Sequence, residues 1–202
     1  MTTETEKLSY LIGRQIFGNL ESQGLSTELD FSALSSSIQD AAAGKDSVIE
    51  RAEEEKIFMA FQTRMQAKAE EASKEQAAEG KKFLEDNAKN EGVIVLESGL
   101  QYKVINSGSG DSPKETDTVE THYEGRLING EVFDSSYARG ESISFPVNGV
   151  IKGWQEAVQL MVPGDKWQLF IPFDLAYGPA GSPPKIGPFA TLVFDIELIA
   201  VK

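Results

Sequence analysis

The sequence predicts an α+β protein with an all-helical N-terminal region, a long spacer helix, and a C-terminal antiparallel β-sheet wrapped on a short helix. Composition divides the chain, because all eight prolines lie from Pro113 onward and twelve of the eighteen aromatic residues lie from Tyr102 onward. Periodicity divides it similarly, because apolar residues recur at helical spacing in the first half and alternate in the second. These observations predict three parts, residues 1–45, 46–91 and 92–202.

Residues 1–45 carry two helical patterns. The first is an apolar stripe that ends before Gly24 and consists of Leu8, Leu11, Ile12, Ile16, Phe17 and Leu20. The second runs from Phe31 to Ala43, with Asp30 as the N-cap and Gly44 just beyond its end. Two such short helices have little partner surface of their own, so they either dock on the second half or pair with another copy of themselves. We favour self-pairing, which makes residues 1–45 a homodimerisation region.

Residues 46–91 favour one long helix. Ser47 and Glu50 fit a capping box, and from there to Asn90 no proline interrupts a sequence dominated by strong helix formers, which Glu91 and Gly92 end. Apolar side chains cluster at the two ends, whereas residues 66–82 are polar apart from Ala and one Gly. A helix that is polar all round in its middle is typical of a spacer, and a continuous coiled coil would need apolar positions sustained there.

Residues 92–202 predict about six strands and one short helix. Turn signals such as Asn129-Gly130 and Pro163-Gly164 separate the alternating segments, which are 100–105, 119–127, 132–133, 143–146, 166–172 and 192–201. The helix lies in PVNGVIKGWQEAVQLMVPG, residues 146–164, where apolar residues recur at helical spacing. Trp154 on its buried face is either the floor of a cavity or simply part of the core.

Composition limits the function classes. The net charge of −13 argues against general affinity for nucleic acid or anionic membranes, which require clustered Lys and Arg. No stretch approaches the ~20 apolar residues of a membrane span, and residues 1–10 lack the features of a signal peptide. The chain therefore predicts a cytoplasmic protein, or a periplasmic one if a signal peptide has been removed. Zero cysteines exclude disulfides and cysteine nucleophiles, and we assign neither a metal nor a cofactor.

Several motifs in residues 95–202 carry a resemblance to a known family. In order along the chain they are HYEGRL, NGEVFDSS, VIKGW, LAYG and ATLVFDIEL. With this order and spacing, the region closely resembles the FKBP-type peptidyl-prolyl cis-trans isomerases, the macrolide-binding immunophilins. The helical first half also resembles the dimeric bacterial Mip-like (macrophage infectivity potentiator-like) branch.

The resemblance implies a pocket and its residues. It implies a catalytic set that consists of Tyr123, Phe133, Asp134 and Tyr177. It implies substrate-binding residues, which are Arg139, Phe145, Val150, Ile151, Trp154, Ile186 and Phe194. Within these sets the family uses the Ile151 N–H and the Tyr177 hydroxyl to hold a carbonyl, and Trp154 as the floor. Asp134 either contacts the substrate carbonyl or orients Tyr123 and Arg139, and we favour orientation.

The implied activity is non-covalent isomerisation of X-Pro bonds in unfolded or partly folded proteins, with macrolides as possible inhibitors. The alternative is a holdase or adaptor that binds chains without isomerising them. One loop departs from the family pattern, because Lys185-Ile186-Gly187-Pro188 stands where many members have two aliphatic residues and two prolines. His122, the only histidine, is expected to face away from the pocket because it neighbours Tyr123 on an alternating strand.

Overall fold

The structure is a computed structural model and describes residues 2–202. Its internal contacts separate two units, Met1–Gln62 and Thr63–Lys202. The division falls inside a long helix, so it coincides with neither predicted boundary. The three-part division of residues 1–45, 46–91 and 92–202 therefore stays a prediction.

The first unit contains two short helices, α1 (Glu4–Ser22) and α2 (Phe31–Ala42). Asp30 is the N-cap of α2 as predicted, because its carboxylate accepts from the backbone N–H groups of the next turn. The rings of Phe17 and Phe31 lie 5.3 Å apart and join the two helices. Neither helix has a fully buried residue in this chain, so their apolar stripes remain largely uncovered.

The long helix α3 spans Arg51–Asn87, about 55 Å at 1.5 Å per residue. The predicted capping box is wrong. The Ser47 hydroxyl accepts from the Ile49 N–H in a local turn, and the helix begins only at Arg51. A Ser side chain that bonds to the backbone two residues ahead competes with helix initiation. The residues that fit a capping box in the sequence therefore form a turn in the structure.

The second unit is built on a seven-stranded antiparallel sheet within the described residues. Its strands are β1 (Val93–Val95), β2 (Gln101–Asn106), β3 (Thr118–Leu127), β4 (Val132–Ser135), β5 (Ile143–Pro146), β6 (Lys166–Ile171) and β7 (Leu192–Val201). The strand order is β1-β2-β6-β7-β3-β4, and β5 also pairs with β3. The six predicted strands are present. The three-residue β1 was missed, because it is too short to show an alternating pattern.

Two short helices accompany the sheet. The helix α4 (Ser136–Arg139) was not predicted; Ser135 caps its start and Gly140 ends it in the left-handed conformation. The helix α5 (Lys152–Val158) is shorter than predicted, since residues 147–149 form a separate 3₁₀ turn. The inner face of α5 belongs to the same apolar core as the central strands, so the sheet wraps on this helix as predicted. Within residues 2–202, none of the helices has the length and apolar character that crossing a bilayer requires.

Candidate active site

A cavity of about 490 Å³ opens beside α5. Its lining comes from β3, β4, β5, β7, the start of α5 and two loops that follow β6. The lining residues are Tyr123, Phe133, Asp134, Ile143, Phe145, Val150, Ile151, Trp154, Tyr177, Ser182, Pro183, Pro184, Lys185, Ile186 and Phe194. Most of these side chains are apolar, so the cavity suits an uncharged cyclic group such as a proline ring.

Aromatic rings form the floor and walls of this cavity. Trp154 lies edge-on to Phe194 with ring centroids 5.1 Å apart, and Phe133 meets Phe194 in the same way at 5.5 Å. Edge-to-face contacts at these distances are favourable, so the rings brace one another. Gly125 on β3 makes this arrangement possible, because a Cβ there would come within 2.6 Å of Phe133 and 2.5 Å of Phe194.

A polar cluster stands at one side of the cavity. The Tyr123 hydroxyl donates to Asp134 Oδ2 at 2.5 Å, and Arg139 forms an ion pair with the other carboxylate oxygen. Arg139 also donates to the Tyr123 hydroxyl at 3.0 Å, and its guanidinium lies over the Tyr123 ring. Both oxygens of Asp134 are therefore engaged by protein donors.

The pKa values in this cluster are shifted in opposite directions. Burial and the hydrogen bond to Asp134 raise the pKa of Tyr123 above its ordinary value, so this hydroxyl remains a donor. Burial alone would raise the pKa of Asp134, but hydrogen bonds from Tyr123 and Arg139 outweigh it and lower that pKa. Asp134 is thus held as a carboxylate.

Tyr177 and Ile151 each bring to the cavity a donor that has no acceptor among residues 2–202, and the buried indole N–H of Trp154 has none there either. The side chain of Tyr177 is 41% exposed, and its hydroxyl bonds to no other group of the described chain. The backbone N–H of Ile151 likewise finds no acceptor, although its carbonyl accepts the first bonds of α5. A ligand carbonyl in the cavity is a natural acceptor for such donors.

The loop after Tyr177 forms the remaining wall. Ser182 and Ile186 pair through two backbone hydrogen bonds of 2.8 and 3.1 Å, and Ile186 is buried. Lys185 reaches across from this loop and donates to the carbonyl oxygen of Phe133 at 2.7 Å. Residues 182–185 and Ile143 were not assigned to the site from sequence, although the unusual loop was visible there.

A buried serine fixes the strand that carries Tyr123. The Ser136 hydroxyl accepts from the Tyr123 N–H at 2.8 Å and lies 3.1 Å from the Tyr123 carbonyl oxygen. On the opposite face of β3, His122 contacts the same hydroxyl and stacks on Tyr137, with ring centroids 4.8 Å apart. His122 therefore faces away from the cavity, as predicted.

The structure brings the predicted site residues together. All of them line the cavity except Arg139, which lies behind Asp134 and Tyr123 and contacts both. Their placement is a fact of the structure, whereas their roles in catalysis and substrate binding stay predictions.

Comparisons with known proteins agree with this geometry. Residues 110–199 match the family described as FKBP-type peptidyl-prolyl cis-trans isomerase, and residues 5–104 match the domain amino terminal to such isomerases. The chain is 47% identical to the FKBP-type 22 kDa peptidyl-prolyl cis-trans isomerase of Escherichia coli (strain K12), and the match covers 100% of both chains.

The chain belongs to the FKBP-type peptidyl-prolyl cis-trans isomerases.

Other relatives place this isomerase among the Mip-like members of the family. It is 41% identical to the outer membrane protein MIP of Legionella longbeachae, with 100% of this chain and 88% of that protein covered. A crystal structure of FkpA from Escherichia coli has a TM-score of 0.79 and 41% identity, and covers 100% of this chain and 98% of that one. The predicted family and fold class are therefore confirmed, and the relative from Legionella longbeachae does not support a cytoplasmic location.

Proposed function

We propose that the protein isomerises X-Pro bonds in unfolded or partly folded proteins, and that the aromatic cavity beside α5 is where it does so. The observation that carries this proposal is the combination of a mostly apolar cavity with two unpaired donors, the Tyr177 hydroxyl and the Ile151 N–H. A proline ring fits against Trp154, and the donors hold the peptide on either side of the rotating bond.

The cavity matches the chemistry of this reaction. The barrier to rotation about a peptide bond is about 18–20 kcal/mol, because the planar amide loses its resonance on the way. The twisted amide carries less charge separation than the planar one, so an apolar site that excludes water favours it. In this mechanism Phe133, Trp154 and Phe194 supply the apolar surroundings, and no covalent intermediate is formed.

Asp134 acts in this mechanism by positioning its neighbours. Its two oxygens already accept from Tyr123 and Arg139, and its side chain is 42% exposed. A carboxylate so engaged holds the Tyr123 ring against the cavity wall, and because it is ionised it has no proton to donate to a substrate carbonyl. This supports orientation over direct contact with the substrate carbonyl.

The proposal is tested by the refolding of a protein whose slow phase is limited by proline isomerisation. Wild type is expected to accelerate that phase, and Phe133→Ala is expected to lose most of the acceleration because a wall of the cavity is removed. Tyr177→Phe is expected to lose less, since one hydrogen bond contributes about 1 kcal/mol, roughly fivefold. Wild type that leaves the slow phase unchanged would contradict the proposal.

The alternative of a binding module without isomerase activity is not favoured, because the relatives are named as isomerases.

We further propose that the functional form is a homodimer held through residues 1–45. The apolar stripe of α1 is exposed in the single chain, with Leu8 59% and Leu11 64% accessible. A helix that presents such a stripe and buries none of it needs a partner surface, and a two-fold axis supplies the same stripe from a second copy. Two cavities joined in one particle capture a long client more effectively than either alone.

The mass in solution tests the dimer. One chain has a mass of 22.1 kDa, so sedimentation of the full chain is expected to give about twice that value. Ile12→Glu in the same stripe is expected to shift the mass toward the monomer, whereas Arg14→Ala, two positions further on and so on the other side of α1, is expected to leave it unchanged. A monomeric wild type would favour the alternative in which residues 1–45 dock on their own chain.

The periplasm is the compartment we propose, because one relative is named an outer membrane protein. Fractionation of cells against marker enzymes of the cytoplasm and periplasm tests this. Recovery of the protein with the cytoplasmic marker would instead support the cytoplasmic location predicted from the sequence.

A further inference from the structure

The cavity carries one cation that the family resemblance did not assign. Among the described residues that line it, only Asp134 and Lys185 are charged. Asp134 is already paired with Arg139, so the two cations and one carboxylate leave a single uncompensated positive charge at the cavity. That charge belongs to Lys185.

The Lys185 ammonium is anchored but only partly satisfied. It donates one hydrogen bond of 2.7 Å to the carbonyl oxygen of Phe133, and this holds the head group beside the cavity wall. An ammonium has three donors, so two remain for another partner. No carboxylate within residues 2–202 lies within ion-pair distance of it, and the side chain is exposed.

We propose that Lys185 is a specificity-determining residue that favours client segments with an acidic residue next to the proline. This deepens the proposed function and rests on it, because it concerns which X-Pro segments the same cavity prefers. A Glu or Asp side chain beside a proline seated on Trp154 finds the ammonium already held near the wall. The protein as a whole carries a charge of −13 and repels acidic clients, so the attraction is local to this cavity.

The size of the effect follows from the exposure of Lys185. Ion pairs at accessible positions contribute modestly and weaken as salt rises. The expected preference is therefore about two- to fivefold in kcat/KM for an acidic residue over its neutral isostere.

The test uses the full chain and matched short peptides that carry Glu or Gln immediately before or immediately after the proline. The measured quantity is the Glu/Gln ratio of kcat/KM at each position, at low and high ionic strength. Wild type is expected to prefer Glu at one or both positions, with the ratio falling toward one at high salt. Lys185→Gln is expected to abolish the preference and Lys185→Arg to keep it, which separates charge from simple hydrogen bonding to Phe133.

Lys89→Gln is the matched control. It changes the net charge by the same amount, and its head group bonds to Asp86 at the end of α3. This variant is expected to keep the wild-type ratio. A wild-type ratio of one at both positions, or a preference that persists in Lys185→Gln, would overturn the proposal for Lys185. Failure to isomerise any of the peptides would instead overturn the proposed function, so the two failures are distinguishable.

Discussion

The Asp134 carboxylate accepts hydrogen bonds from the Tyr123 hydroxyl and from the Arg139 guanidinium, and these bonds set how its charge responds to pH. Because its pKa lies below the ordinary value of 3.8, the carboxylate is charged at every pH above that value. Any contribution of this ionised cluster to stability is thus present above the unfolded-state pKa and is lost as pH falls through the lower folded-state pKa. The raised pKa of Tyr123 keeps its hydroxyl protonated up to at least pH 10.

The first prediction concerns this cluster. Between about pH 5 and pH 9 we expect kcat/KM on a short X-Pro peptide to vary by less than about twofold, because neither Asp134 nor Tyr123 titrates there. Asp134→Asn is expected to lower kcat/KM by about three- to tenfold, since Tyr123 loses an ionised acceptor and Arg139 loses its ion pair. A pH–rate profile of both proteins measures this.

A spectroscopic control separates positioning from general damage. In Asp134→Asn the pKa of Tyr123 is expected to fall, because the hydrogen bond and the negative charge that raise it are gone. The pKa of Tyr137, which is raised by burial and by Glu197, is expected to stay where it is. Titration of labelled tyrosines by NMR follows both. An unchanged Tyr123 pKa would contradict the assigned role of Asp134.

Elements were predictable where periodicity or capping chemistry is strong. Asp30 marks the start of α2 because a carboxylate at that position satisfies free N–H groups, and the alternation of β3 placed His122 and Tyr123 on opposite faces. The start of α3 was not predictable, because a Ser at position 47 can either cap a helix or bond within a local turn. In the structure it bonds to Ile49 in a turn. The hydrogen bond from Lys185 to the Phe133 carbonyl oxygen connects residues that are 52 positions apart in the chain. No local sequence pattern predicts such a contact.

The second prediction concerns the part of α3 that belongs to the second unit and contacts its loops and strands. Gly80 is buried, and a Cβ there would collide with the side chain of Thr191, just before β7. Gln76, one turn earlier, lies against Gly187 in the loop that forms a cavity wall. Gly80→Ala is therefore expected to destabilise the protein by about 1–3 kcal/mol, although Ala is the better helix former. Denaturant unfolding measures the change.

A double-mutant cycle identifies the cause of that loss. The side chain of Thr191 is what the new methyl group meets, so Gly80→Ala is expected to cost less in a Thr191→Ala background. Additive effects of the two substitutions would show that the close approach of α3 to Thr191 is not what requires glycine at position 80.

At the scale of the whole molecule, the C-terminal part of α3 belongs to the second unit, which also contains the cavity. The buried side chain of Gln101 on β2 donates to the Leu84 carbonyl oxygen and accepts from the Asn87 side chain, both at 2.9 Å. The ring of Phe83 lies 6.1 Å from that of Phe170 on β6. The sequence showed that the spacer helix has an apolar end, which contains Phe83 and Leu84. The buried amide pair was not predictable, because Gln and Asn are usually exposed.

The third prediction compares two truncated chains, residues 63–202 and residues 92–202. Both are expected to isomerise a short peptide, because the cavity lies wholly within 92–202. The shorter chain is expected to be less stable by about 2 kcal/mol, since it loses the Phe83 contact and the partners of Gln101. Denaturant unfolding with a peptide assay measures both properties. The proposed dimer predicts that both truncations lose efficiency on an unfolded protein client relative to the full chain, because they lack residues 1–45 and so the second cavity of that dimer. Equal stability of the two truncated chains would show that the C-terminal turns of α3 only connect the units and do not support the catalytic one.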